Sequence, residues 1–325
     1  MEAALVERAG IPFKAIPAAG LHGVDFERLP GNLKLLAQGF MASRRILNEF
    51  KPDVMFFTGG YVAAPMALAG RKIPSLLYVP DIEPGLALKA LGYFATCIAL
   101  TALESRKFFP RKAKTILTGY PVRAGLTNWD KKSGRKALGI KSNLPVLLVW
   151  GGSKGARSIN AALFEHLEHL LEQMEVIHIS GESDWEMALA ARTRLPKELA
   201  KRYRAYSYLH KEVGAALAAA DLAVSRAGAS TLGEYPLFGL PAILVPYPYA
   251  WRYQKVNADA LAKRGAALVI EDAKLKSGLY LTVEKLLETP EKLEGMSQAM
   301  RAFSMPDAAA QIGAQLMEMA GAQHD

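Results

Sequence analysis

Val146 to Asn160 read VLLVWGGSKGARSIN: five apolar residues, a glycine pair, a short polar loop and the start of a helix. An unbroken apolar run of that length suits a strand covered on both faces, as in a parallel sheet. Gly151 and Gly152 then let the backbone turn tightly and approach a ligand closely. Ile159, Leu163, Leu167, Leu170 and Leu171 follow one face of the next helix, whose first amides and positive dipole end suit a diphosphate. The same letters also make an ordinary tight strand-helix turn. The loop is not G-x-x-x-x-G-K-[ST], because Lys154 precedes Gly155, nor G-x-G-x-x-G, because position 153 is serine.

The same pattern extends along the chain in both directions. VIHIS (176–180), LAVS (222–225), AILV (242–245) and ALVI (267–270) are further strand candidates in the second half; VMFF (54–57), SLLYV (75–79), CIAL (97–100) and TILT (115–118) are those of the first. Helical periods separate them, with Leu33, Leu36, Ala37, Phe40, Ile46 and Leu47 on one face. Alternation of this kind predicts α/β architecture with parallel sheets. The first half has its own strand running into paired glycines, FFTGGYVAAP at 56–65. Two doubly wound, Rossmann-like domains facing across a cleft are therefore expected, with ligands beyond the carboxyl ends of the strands. Gly119 to Gly134 carries Pro121, Asn128 and a charge cluster and reads as the linker. The boundaries expected are 1–122, joined by a C-terminal helix at 303–325, and 123–302. A doubly wound half normally opens on a strand and a glycine loop, whereas this one opens on the helix-like EAALVERAG. About one βαβ unit, ~30 residues, is thus expected to be missing ahead of Met1.

Composition narrows the classes. At 325 residues and 51% hydrophobic, the chain is long enough for two cores. Its single cysteine, Cys97, cannot close an intramolecular disulfide, and a reducing cytosol is the simplest setting. No apolar stretch is long enough to span a bilayer, and residues 1–20 lack the pattern of a signal peptide. A net charge of +9 favours anionic partners, but the basic residues are scattered in ones and twos, which argues against nucleic acid. None of the six histidines forms a metal-spaced pair with carboxylates or with Cys97, so neither a metal nor a cofactor is expected. The absence of G-x-S-x-G argues against a serine hydrolase.

Two further junctions carry chemistry. In SRAGASTLGE (225–234), the amides of Gly228, Ala229 and Ser230 can face a phosphate while Glu234 accepts from a ribose diol. The alternative there is a capping box, Thr231-x-x-Glu234. In PYPYAWRYQKVNA (246–258), Gln254 and Asn257 stand three apart on a helix and could read sugar hydroxyls and an N-acetyl group, or be ordinary surface amides.

The order TGGYVAAP, Pro84-Gly85, TGYPVR (118–123), GGSKGARSIN, SRAGASTLGE, GLPAILVPYPYA and YQKVNA resembles the MurG family of peptidoglycan N-acetylglucosaminyltransferases over essentially the whole chain. That resemblance implies a GT-B fold and inverting, metal-independent transfer of GlcNAc from UDP-GlcNAc to an undecaprenyl-pyrophosphoryl-muramyl-pentapeptide. It also implies a peripheral place on the cytoplasmic face of the membrane. By position, Arg123, Gly152, Ser153, Gly155, Leu209, His210, Ala229, Ser230, Thr231, Glu234, Gln254 and Asn257 correspond to the family's donor site, with Leu209 and His210 near the uracil. Gly59, Gly60 and Tyr61 match its acceptor-side loop. Three features depart from the family. Its opening GGTGGH, which bears the proposed base histidine, has no counterpart after Met1. Asp81 stands where an asparagine is usual, and Tyr253-Gln254 where two glutamines are usual. Asp81 and His22 are then the candidate bases within the chain. The rivals are a nucleotide-sugar-binding protein without turnover, a transferase with another acceptor, a UDP-sugar epimerase and, last, an NAD oxidoreductase. Leu33, Leu36, Phe40 and Leu47 among Lys34, Arg44, Arg45 and Lys51 could make a basic-rimmed patch for an anionic membrane, or could simply face the core.

Overall fold

The computed structural model describes residues 3, 6–7, 9–20, 27, 29–152, 155–249 and 253–321. They form two compact units: Met1–Val79 with Pro84–Leu117 and Ile312–Asp325, and Pro80–Glu83 with Thr118–Gln311.

In the first unit, β1 (Met55–Phe57), β2 (Ser75–Val79), β3 (Cys97–Leu100) and β4 (Thr115–Leu117) pair in that order, all parallel. β2 and β3 are buried along their whole length, which is why they read as continuous apolar runs. Met55, Phe57, Leu77, Val79, Ile98 and Leu100 pack against Ala63, Ala67, Leu88 and Leu91 from the helices Ala63–Ala69 and Leu86–Leu91. Burial also pushes the Cys97 thiol upward, keeping it protonated. Gly59 and Gly60 follow β1 with φ of 108° and 80°, the left-handed region that favours glycine.

In the second unit, six parallel strands run in the order β10-β9-β8-β5-β6-β7, where β5 is Val146–Trp150, β6 Glu175–Ile179, β7 Tyr203–Tyr206, β8 Leu222–Ser225, β9 Ala242–Leu244 and β10 Ala267–Val269. The chain starts at the centre, winds out through β6 and β7, and returns to place β8 beside β5, with Trp150 opposite Ser225. This is doubly wound topology, and its switch point lies between β5 and β8. Leu147, Val149, Val176 and Val224 lie under the helix Arg157–Gln173, whose Ile159, Leu163, Leu167 and Leu170 complete the core.

The apolar runs expected to be strands become β1 to β6 and β8 to β10, within one residue at either end. β7 was not expected. Its sequence, YRAY, lies at the sheet edge and buries only Tyr203 fully, so no apolar run marks it. The expected linker also contains structure. Lys131–Ala137 is a helix whose N-cap, Asp130, accepts from Ser133 N at 2.7 Å, and Ser133 Oγ in turn accepts from Asp130 N at 3.0 Å. Gly134 allows its close approach to Val213–Ala219, since a Cβ there would lie 2.6 Å from Ala215 O. KKSGRKA hides this because only its glycine is buried.

Candidate functional site

A cavity of about 940 Å³ opens within the second unit at the carboxyl ends of the central strands. Trp150, Gly151, Gly152 and Gly155 contribute one wall. Gly152 and Gly155 have φ of 91° and 76°, and Gly155 N donates to Gly152 O at 3.0 Å, closing the loop on itself. Only glycine fits at 155, because a Cβ would lie 2.3 Å from Ser180 O. Gly228, Ser230 and Thr231 line the facing wall, from the 3-10 turn Ala229–Leu232 after β8. Gln254 also lines it, its Oε1 accepting from Tyr247 N at 2.9 Å. The switch point therefore collects Gly152, Gly155, Ser230, Thr231 and Gln254 from three separate stretches of sequence, with Ala229 in the same turn.

Behind this wall, Arg123 Nε donates to Glu234 Oε1 at 2.9 Å. The carboxylate is almost wholly buried, and its Oε2 has no hydrogen-bond partner among the described residues. Burial raises the Glu234 carboxyl, opposed by the Arg123 guanidinium. Tyr120 packs on Gly233, and its phenol is pushed upward by burial and by the negative charges of Glu234 and Asp81. The capping-box alternative is not what forms. Thr231 Oγ1 donates to Gly228 O at 2.7 Å, and Glu234 turns to Arg123.

Asn257 is not presented to a ligand. It is fully buried; its Oδ1 accepts from Ile82 N at 3.1 Å, and its Nδ2 donates to Asp81 Oδ1 at 2.8 Å and Ala227 O at 3.2 Å. The amide thus ties the Pro80–Glu83 segment to the helix Tyr253–Lys263. Asp81 is held by that bond, and burial raises its carboxyl. Leu209 and His210 follow the edge strand β7 and do not line the cavity; Leu209 is buried and His210 exposed, with Tyr208 edge-on to it at 4.6 Å. Gly59, Gly60 and exposed Tyr61 belong to the other unit. Ser153 and His22 lie outside the described residues.

Sequence reasoning missed a charged cluster in the cavity floor. Arg226 donates to Asp272 through Nη1, to Val245 O through Nη1 at 3.2 Å and to Ser158 Oγ through Nη2 at 2.9 Å. Ser158 Oγ donates to Asp272 Oδ1 at 2.7 Å, and the guanidinium lies 5.1 Å from the Tyr247 ring centroid. These bonds fasten the ends of β8, β9 and β10 to the helix after β5. The available signal was positional: Arg226 and Asp272 both fall just past a strand's carboxyl end, facing the switch point. Among the described residues no three His, Cys, Asp or Glu side chains come together as a metal centre would need.

The description "Glycosyltransferase family 28 C-terminal domain" matches residues 146–312, and "Glycosyltransferase family 28 N-terminal domain" matches residues 1–100. The chain is 40% identical over 352 residues to a UDP-N-acetylglucosamine--N-acetylmuramyl-(pentapeptide) pyrophosphoryl-undecaprenol N-acetylglucosamine transferase of Roseiflexus sp. (strain RS-1), covering 96% of this chain and 80% of that protein. It is 41% identical over 319 residues to the same-named protein of Desulfitobacterium hafniense (strain Y51), covering 95% and 85%. Among solved structures, it is similar to MurG of Acinetobacter baumannii, with TM-score 0.76 and 25% identity over 98% of this chain and 88% of that one. A UDP-GlcNAc 2-epimerase of Neisseria meningitidis shares the fold at TM-score 0.66 and 14% identity, covering 98% and 88%.

Proposed function

The chain belongs to glycosyltransferase family 28, and from that membership we propose that it transfers GlcNAc from UDP-GlcNAc to a lipid-linked muramyl-pentapeptide in peptidoglycan synthesis, with inversion at the anomeric carbon. The observation that carries this is the switch-point cavity, which joins the glycine loop, the Ala229–Leu232 turn and Gln254. The glycine-loop amides and the start of the Arg157–Gln173 helix receive the diphosphate. Glu234, steadied by Arg123, accepts from the ribose hydroxyls through its unpartnered Oε2, and Gln254 meets the sugar. The acceptor's 4-hydroxyl attacks the anomeric carbon as UDP leaves, and the developing charge on the diphosphate is held by preorganised amides and dipoles. A base takes the hydroxyl proton. Burial lifts Asp81 in the direction a base working near neutral pH requires, and His22 is the other candidate in the chain.

Incubation with radiolabelled UDP-GlcNAc and a lipid-linked muramyl-pentapeptide analogue should yield a labelled disaccharide-lipid. UDP binding without any such product would favour a nucleotide-sugar binder that does not turn over.

We also infer that the first unit meets an anionic membrane surface from the cytoplasmic side. No helix among the described residues is long and apolar enough to cross a membrane. On Leu29–Phe50, Leu33, Met41 and Phe50 are exposed beside exposed Lys34, Arg44, Arg45 and Lys51, while Leu36, Phe40 and Leu47 are half-buried. The chain should co-sediment with vesicles containing phosphatidylglycerol and be released by salt, each basic residue contributing about 1 kcal/mol. Sedimentation indifferent to both lipid charge and salt would reject this.

A further inference from the structure

The described charged residues lining the cavity are Arg157, Arg226 and Asp272. Arg226 and Asp272 pair with each other and are largely buried, so their charges nearly cancel. Arg157 remains. It is the first residue of the helix Arg157–Gln173, and its side chain is 83% exposed at the cavity. Its Nη hydrogens have no partner among the described residues.

Beneath it lies a rigid anchor. Asp184 is buried, with Oδ2 accepting from Asn160 Nδ2 at 2.8 Å. Among the described residues its buried Oδ1 has no hydrogen-bond partner, and Arg157 Nε stands at ion-pair distance from it, 3.6 Å. Asn160 is itself fixed: Nδ2 also donates to Ser180 O at 2.8 Å, and Oδ1 meets His178 Nε2 at 3.0 Å. Ser180 O is also the atom that a Cβ on Gly155 would meet at 2.3 Å. The same buried network therefore lies against the glycine loop and holds the carboxylate under Arg157.

We propose that Arg157 is the cation that binds the donor's diphosphate, with Asp184 as its positioning residue. This rests on the nucleotide-sugar reading given above. Asp184 holds the guanidinium from its Nε side and leaves both Nη groups for a bidentate contact with phosphate oxygens, a geometry lysine cannot reproduce. A dianion arriving there meets a cation whose own counter-ion is buried at ion-pair distance and makes no hydrogen bond to it.

The test is calorimetric titration of the full chain with UDP and with uridine. Wild type should bind UDP more tightly than uridine, and Arg157→Gln should lose about ten- to a hundredfold in UDP affinity while uridine is unchanged. Arg157→Lys should fall between. Asp184→Asn should weaken UDP severalfold by itself and add nothing in the Arg157→Gln background, as expected of a residue acting through another. Because Asp184 is buried, its variant is compared only where its melting curve remains cooperative; the exposed Arg157 variants carry the test regardless. Unchanged UDP affinity in Arg157→Gln, or equal losses for UDP and uridine, would overturn the proposal. A wild-type chain binding neither compound would remove the nucleotide reading and this proposal with it.

Discussion

Replacing Glu234 by alanine should lower UDP affinity by roughly ten- to a hundredfold, the size of a lost hydrogen bond to a charged group at about 1.5 to 3 kcal/mol, without lowering thermal stability. The two effects separate because of where the charges sit. The carboxylate is buried, its Oε2 has no partner among the described residues, and burial raises its pKa. Removing a buried charged acceptor of this kind relieves a desolvation cost. Its partner, Arg123, has a side chain 45% exposed, so water takes over when the pair is broken. A buried charge that costs the fold stability is better explained by what it binds. Uridine affinity should fall along with UDP affinity, because the contact is to the ribose; this distinguishes Glu234 from Arg157, whose loss spares uridine. Calorimetric titration with thermal melts reads all three quantities. Unchanged affinity with a clear drop in melting temperature would make Glu234 a structural residue.

His178 should make the second unit acid-sensitive in a way a single substitution removes. The ring is fully buried on β6, between Tyr203 OH at 2.7 Å from Nδ1 and Asn160 Oδ1 at 3.0 Å from Nε2. An amide oxygen can only accept, so Nε2 carries the proton and Nδ1 accepts from the tyrosine. Both nitrogens are satisfied in the neutral ring, and burial drives the pKa down to about 3 from 6.5. The unfolded chain takes up this proton below about pH 6.5, while the native state refuses it until about pH 3. Stability from this group is therefore complete above pH 6.5 and falls as the pH drops, by about 1.4 kcal/mol per unit and roughly 5 kcal/mol over the window. The raised carboxyls of Asp81 and Glu234 act in the opposite sense, so the informative quantity is the difference between wild type and His178→Gln. Glutamine supplies a donor and an acceptor but does not titrate. Urea unfolding between pH 4 and 8 should show that difference shrinking toward low pH. His178→Phe should cost several kcal/mol at neutral pH, since it strands two buried polar groups at about 1 to 3 kcal/mol each. A pH-independent gap between wild type and the glutamine variant would mean that the ring is not held neutral.

The sequence by itself determined the parallel α/β architecture and the two glycine turns. A strand covered on both faces must be apolar at every position, and a loop closing on a neighbouring carbonyl must be glycine, so VLLVWGG states its own structure. Both constraints are local. They also placed Gly152, Gly155, Ser230, Thr231 and Gln254 at a strand end or helix start, where the switch-point rule brings them together. Tertiary structure alone decided what each polar side chain does there, because a side chain's role depends on its partner, and these partners lie far away in sequence. Asn257 reads as a sugar-binding amide, yet its partner Asp81 stands 176 residues earlier and holds it in the interior. Glu234 reads equally well as a helix cap until Arg123, 111 residues away, claims one oxygen and burial leaves the other unpaired. Arg226 is neutralised by Asp272, and Arg157 is poised by Asp184. Hydrophobic periodicity records only whether a position is buried. Which charge lies opposite, and whether it is already matched, is fixed only when the strands take their order in the sheet.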